Sequence, residues 1–364
     1  MKNILFCLDS FKGTLSTFDI INISKEVIDD KYKPYFYFNG VYLPIADGGE
    51  GSLDIISTIL EGKTINVNSI DAEYNSINAP YFISKDNEIY IEVAKIIGLP
   101  YLTNKIPPIE RTSKGIGIVI ENALRHNPRS INIFLGGSST NDMGIGLLSY
   151  LGVDFNIKGE LTAKNIKDVY SFNTQKLKEK IKGIKFNCYC DVTNPLTGFN
   201  GASYIFGTQK GYNEKEIEFL DKSFTHFSSI IKKELEKDLT NIPSLGASGG
   251  LGGCFYSFFD AEVKLGIDKI LDLNDFDKYV SKADLIITGE GSFDNQSLNG
   301  KAINGILKRI DKNKLVIICG KSKISDPLYR IYKTSDENIS FEYIKKHAKE
   351  LYRNTLIKVL DDFI

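Results

Sequence analysis

Short apolar, β-branched runs alternate along the chain with loops rich in glycine, hydroxyl and carboxylate residues, and then with segments of helical period. Residues 3–8 read as a strand, and Asp9-Ser-Phe-Lys-Gly-Thr-Leu-Ser16 as the loop that follows it. Ser16 with Asp19 three residues later has the spacing of a capping box, which predicts a helix running toward Ile28. Residues 41–46 predict a second strand, Asp47-Gly-Gly-Glu-Gly-Ser52 its loop, and residues 53–60 a helix. Residues 131–135 repeat the pattern, with Gly136-Gly-Ser-Ser-Thr-Asn-Asp142 leading into a helix over 145–151. Residues 283–288 with Gly289-Glu-Gly-Ser-Phe-Asp294, and residues 315–319 with Gly320-Lys321-Ser322, repeat it again. Strand–loop–helix alternation predicts a parallel sheet with helices on its faces.

Between these units the texture changes. Residues 65–99 carry short alternating runs, such as Ile89-Tyr-Ile-Glu-Val93, that suit antiparallel strands. Tyr204-Ile-Phe206 reads as another short strand, followed by a long charged helix over about 214–236. The expectation is two α/β domains. One is a parallel-sheet domain made of residues 1–64 and 281–364; the other is a mixed-sheet domain of residues 65–280 inserted into it.

A length of 364 residues agrees with two domains at about 150 residues each. Lys plus Arg is 45 and Asp plus Glu is 46, and this near-balance argues against a nucleic-acid binder or a polybasic membrane-surface protein. No apolar run approaches the roughly 18 residues of a membrane span, and the N-terminus lacks the apolar run of a signal peptide. The five cysteines are scattered without a Cys-x-x-Cys, so a disulfide framework or structural zinc site is not expected and a reducing cytoplasm is. Cys188 and Cys190 would share one face of a strand. His126, His226 and His347 lie in charged, helix-like segments far from the glycine-rich loops, which reads as surface or helix-end placement.

In open parallel sheets, ligands bind at the carboxyl ends of the strands, where glycines let the backbone approach and N–H groups attract anions. The loops here therefore read as phosphate- or substrate-binding: Asp9 and Ser10; Gly48, Gly49 and Glu50; Gly136, Gly137, Ser138 and Ser139; Gly289, Glu290 and Gly291. The nucleotide motifs fail on inspection. Gly62-Lys-Thr64 and Gly320-Lys-Ser322 end like a P-loop, but Ser57 and Leu315 stand where its first glycine belongs. Gly246-Ala-Ser-Gly-Gly-Leu-Gly-Gly253 fits close helix packing as well as ligand binding. Phosphoryl transfer needs positioned cations, a carboxylate to orient the hydroxyl, and carboxylate-held magnesium. The candidates are Asp9 with Lys12, Asp47 with Glu50, Asn141 with Asp142, Asp191, Lys210, Glu290 with Asp294, and Lys301. Helix capping and Asx turns are the alternative for the aspartates, and plain solvation for the lysines. Residue chemistry alone stops at an α/β enzyme for a small phosphorylated or phosphate-accepting ligand.

The ordered motifs Asp9-Ser-Phe-Lys-Gly13, Pro44-Ile-Ala-Asp-Gly-Gly-Glu-Gly51 and Gly136-Gly-Ser-Ser-Thr-Asn-Asp142 resemble those of the first family of bacterial glycerate kinases. Cys190-Asp-Val-Thr-Asn-Pro-Leu-Thr-Gly198, Phe206-Gly-Thr-Gln-Lys-Gly211 and Thr288-Gly-Glu-Gly, with Asp294, Gln296-Ser297 and Gly300-Lys301, continue the resemblance in order. It implies ATP-dependent phosphorylation of D-glycerate to 2-phosphoglycerate with Mg2+. The implied fold is a Rossmann/flavodoxin-like domain and a second α/β domain, with the active site in the cleft between them. Asp47, Asp191, Lys12 and Asp294 become the catalytic candidates, Asp47 and Asp191 also the metal candidates. The chain departs from the family pattern at Ser292, where arginine is usual, at Ile118, where an acid is usual, and at Met143, where glycine is common. Arginine grips carboxylate or phosphate bidentately and serine does not. Lys321 and Arg111 are the long cations available in its place. A kinase for a related hydroxy acid, and a catalytically weak glycerate- or nucleotide-binding sensor, remain open alternatives.

Overall fold

The computed structural model describes residues 2–33, 38–295, 297–298, 302–336 and 338–363. It divides into two compact units, Met1–Asp47 with Ile267–Ile364, and Gly48–Gly266. These boundaries lie ahead of the expected 64/65 and 280/281. Helix Ser52–Ile59 packs on strands of the second unit, while the helix over Gly266–Leu273 falls almost wholly in the first.

The first unit holds a five-stranded sheet in the order β11-β10-β9-β1-β2, with β1 Lys2–Leu8, β2 Phe38–Tyr42, β9 Leu285–Phe293, β10 Leu315–Ser322 and β11 Arg330–Lys333. Every pairing is parallel. Ile4, Phe6 and Leu8 of β1 pack with Ile20 and Val27 of helix Thr17–Val27 and with Tyr352 and Leu356 of helix Phe341–Asp361. Ser16 caps the first of these helices, and the Ser16–Asp19 capping box forms as its spacing predicts. The chain runs from β1 to β2 on one side and later returns to β9 on the other. The β1/β9 boundary is therefore a topological switch point, the place where open parallel sheets bind ligands.

The second unit holds a six-stranded sheet, β3 to β8 in sequence order. Its strands are β3 Gly62–Ile70, β4 Ser76–Ser84, β5 Glu88–Glu92, β6 Ser130–Phe134, β7 Lys185–Cys190 and β8 Glu262–Leu265. The first two pairings are antiparallel and the last three parallel. The fold class is thus α/β with one parallel and one mixed sheet, as the alternation predicted. Cys188 and Cys190 do face one core, and all five cysteines are buried thiols.

Four local expectations are corrected. The second strand ends at Tyr42 rather than running over 41–46, because Pro44 has no N–H for the ladder. The loops expected at 289–294 and 320–322 are largely strand, since β9 extends to Phe293 and β10 to Ser322. Gly289 permits this: a Cβ there would stand 1.8 Å from the Ile318 carbonyl oxygen. The Gly-Lys-Ser of β10 and the Gly-Lys-Thr of β3 are therefore strand residues and not P-loops. Tyr204-Ile-Phe206 belongs to a short helix, Ala202–Phe206, in which Ile205 N donates to Gly201 O and Gly207 N to Ser203 O. Local turn bonding prevailed there over the β propensity of three side chains.

Candidate active site

In the first unit, β1 delivers Asp9 to the switch point, and Asp9 N donates to Gly289 O at 3.0 Å. Asp9, Ser10 and Lys12 from this loop and Glu290 and Gly291 from β9 line a cavity of about 310 Å3. Lys12 Nζ lies 3.3 Å from Asp47 Oδ2, and Asp47 is buried. Burial pushes the Asp9 carboxyl well above the carboxylate range, the negative charges of Asp47 and Glu290 add to the shift, and the Lys12 ammonium opposes it. The charges of Asp47, Glu290 and Lys12 thus all act on the Asp9 carboxyl at this strand end. Lys321 pairs with Ser292 across the β9–β10 ladder, and both line the same cavity.

In the second unit, the loop after β6 and the chain after β7 frame a smaller cavity, about 100 Å3, lined by Gly136, Gly137, Ser138, Asp191 and Lys210 among others. The Lys210 side chain is buried and donates from Nζ to Thr140 O at 2.7 Å and to Ser138 Oγ at 3.2 Å. Burial pulls its pKa down to about 7; the Arg111 charge lowers it further and the Asp142 charge opposes. Arg111, itself fully buried, donates to Lys210 O at 2.5 Å and to Asn104 Oδ1 at 3.0 Å, with Nε 3.5 Å from Glu73 Oε1. It is occupied in bracing Lys210, and it belongs to the other unit from Ser292.

Other expected residues hold the loops rather than line a cavity. Ser139 Oγ donates to Ile97 O, and Asn141 Nδ2 to Ser203 Oγ. Asp142 accepts from Ser113 N and Oγ and from Gly144 N, and burial raises its carboxyl. Gly136 N donates to Gly48 O, which fixes the Gly48-Gly49 backbone beside this loop; Glu50 next to it is exposed. The glycine-dense stretch is close packing. Gly249 has φ +66°, and a Cβ there would stand 2.2 Å from Thr140 O. Asp294 lies in the turn after β9 and is not among the residues lining the 310 Å3 cavity. Lys301 lies outside the described residues.

Two contributors were assigned no role from sequence. Glu92, at the end of β5, accepts from Gly51 N at 3.1 Å and Leu53 N at 2.9 Å, and so anchors the start of helix Ser52–Ile59; burial raises its carboxyl to about 7. An acid closing an apolar strand was its signal. The other is the wall that Phe341, Ile344 and Ala348 give the larger cavity, for which the sequence carries no signal.

Carboxylates and an ammonium at the switch point of a parallel sheet, and a buried lysine bonded to a glycine-rich loop, fit an α/β enzyme for small anionic ligands. The chain belongs to the glycerate kinase family, whose sequence profile matches residues 4–363. It is 36% identical over 312 residues to a glycerate kinase of Bacillus cereus, covering 84% of this chain and 81% of that one. It is 34% identical over 314 residues to the glycerate 2-kinase of Escherichia coli, covering 83% and 80%. A crystal structure of a Salmonella typhimurium LT2 protein, described as a candidate glycerate kinase 2, superposes with a TM-score of 0.80 at 29% identity, covering 100% of this chain and 98% of that one.

Proposed function

We propose that the protein is an ATP-dependent kinase that phosphorylates D-glycerate at the 2-hydroxyl, in the cytoplasm. The observation that carries this reading is the Lys12–Asp47 pair beside Asp9 and Glu290 at the β1/β9 switch point. Family membership supports the acceptor, and the name of the Escherichia coli relative supports the 2-position. No helix among the described residues is long and apolar enough to cross a membrane.

In this reading the residues named from sequence take distinct roles. Lys210, Ser138 and the Gly136-Gly137 backbone take the acid's carboxylate, and Asp191 orients the acceptor hydroxyl. A half-protonated buried lysine gains its charge fully when an anion arrives, because the opposite charge raises its pKa. Lys12 neutralises the phosphoryl group in flight as a mobile point charge, and Asp47 holds that ammonium in place.

Magnesium fits the first unit. Among the described residues no cluster of three or more His, Cys, Asp or Glu side chains is arranged to ligate a metal. Magnesium, however, takes only one or two carboxylates and completes its shell from phosphate and water. Burial chiefly raises the Asp9 carboxyl and the charges of Asp47 and Glu290 add to it; a divalent cation would relieve the charge part. Asp47, with Asp9 beside it, would hold the ion, which when bound supplies neutralisation of phosphate charge.

Initial rates of ATP consumption with Mg2+ and D-glycerate test the reading against L-glycerate, lactate and tartrate. Preference for D-glycerate supports it. Faster turnover of another hydroxy acid would move the substrate, and none above background would leave a binding protein.

A further inference from the structure

The cavity of the first unit carries more apolar lining than phosphoryl chemistry requires. Besides Asp9, Lys12 and Glu290, Phe11, Leu15, Phe341, Ile344 and Ala348 line it. Helix Phe341–Asp361 buries Ala348, Tyr352 and Leu356, yet leaves Phe341 in its first turn 57% exposed. The ring is nevertheless seated. A Cβ at Gly13 would stand 3.2 Å from Phe341 Cζ, so a glycine at φ +81° in the loop after β1 makes room for its edge. Buried Thr334 and Ser335 close a further side, with Ser335 Oγ donating to Gly320 O.

We infer that this cavity is the nucleoside subsite, with a purine base against Phe341 and Ile344 and its phosphates directed toward Lys12 and Lys321; this rests on the kinase reading. Three observations favour it over the small acid. At about 310 Å3 the cavity lies within the range of pockets for drug-sized ligands, whereas the 100 Å3 cavity beside Gly136 and Lys210 holds about three waters' worth of liquid. Glycerate has no apolar face to cover five apolar side chains, while a purine has two. Both lysines line the cavity, as a polyphosphate requires.

The chain contains no tryptophan, so Phe341→Trp installs a single indole reporter at the wall. Titration with ADP is expected to quench its fluorescence saturably, while D-glycerate and inorganic pyrophosphate do not. Phe341→Ala, at an exposed position, is expected to raise KM for ATP on the order of tenfold, as loss of a base-stacking ring does, with KM for glycerate within about twofold. An indole silent to ADP at concentrations that saturate turnover, or a Phe341→Ala effect on glycerate KM alone, would overturn the assignment. The quenching needs no turnover, so absence of kinase activity in the parent protein would sink the kinase reading while the titration still judges the nucleoside subsite.

Discussion

Lys12 Nζ lies 3.3 Å from Asp47 Oδ2, tying the loop after β1 to the chain that leaves β2. With the lysine 58% exposed, such a pair stabilises a fold by at most about 1 kcal/mol. Its significance is positional: the pair holds an ammonium at a switch point, facing a cavity.

Lys12→Ala is expected to lower turnover about a hundredfold, the effect of losing roughly 3 kcal/mol of transition-state stabilisation. Stability should change by no more than about 1 kcal/mol, the upper worth of such a pair. Melting curves and kcat on one preparation decide the matter. Turnover within about threefold of the parent would remove Lys12 from the chemistry.

Lys210 gives a pH dependence with a defined sign. With its pKa pulled to about 7 by burial, Lys210 is charged below that pH and neutral above it. Asp142 and Arg111 are the charged groups that act on it, the first raising and the second lowering. kcat/KM for glycerate, which reports free-enzyme ionisations, should fall as pH rises through about 7. Lys210→Arg keeps its charge throughout and should flatten that limb even if overall activity drops. An unchanged limb in the arginine variant would assign it to another group.

Glu92 links site architecture to stability. Its carboxyl titrates near 7 in the folded chain and in the ordinary carboxylate range when unfolded, so the native state binds more protons in between. Its contribution to stability is therefore lost progressively as pH rises from about 4.3 toward 7. The drop in thermal midpoint between pH 5 and 7.5 should be smaller in Glu92→Gln than in the parent. Equal drops would place the carboxyl's titration elsewhere.

Lys321 stands in register with Ser292. If it supplies the charge that an arginine at 292 would carry, Lys321→Ala should weaken ATP binding about ten- to a hundredfold, the usual worth of charged hydrogen bonds. Ser292→Arg in that background should restore most of it. A double variant no better than Lys321→Ala would show that the two positions do not substitute for one another.

Much of this was legible in local sequence because local forces set it. The Ser16–Asp19 box, the charged helix over 214–236 and the β-branched runs ending in Asp9 and Gly136 each carry their own signal. What escaped depends on neighbours in space. β9 and β10 run through their glycines because the Ile318 carbonyl occupies the volume beside Gly289. Asn141 and Asp142 also take hydrogen bonds that sequence does not show, to Ser203 and Ser113. A lone phenylalanine opening the last helix looks like any partly exposed aromatic until the loop at Gly13 is seen against it.

The most direct test of the central claim is phosphorus NMR of the product formed from ATP, Mg2+ and D-glycerate. The account predicts stoichiometric ADP and a single phosphomonoester coupled to the one proton on C2. A phosphomonoester coupled to the C3 methylene protons would contradict the position of transfer, and no phosphomonoester at all would contradict the kinase.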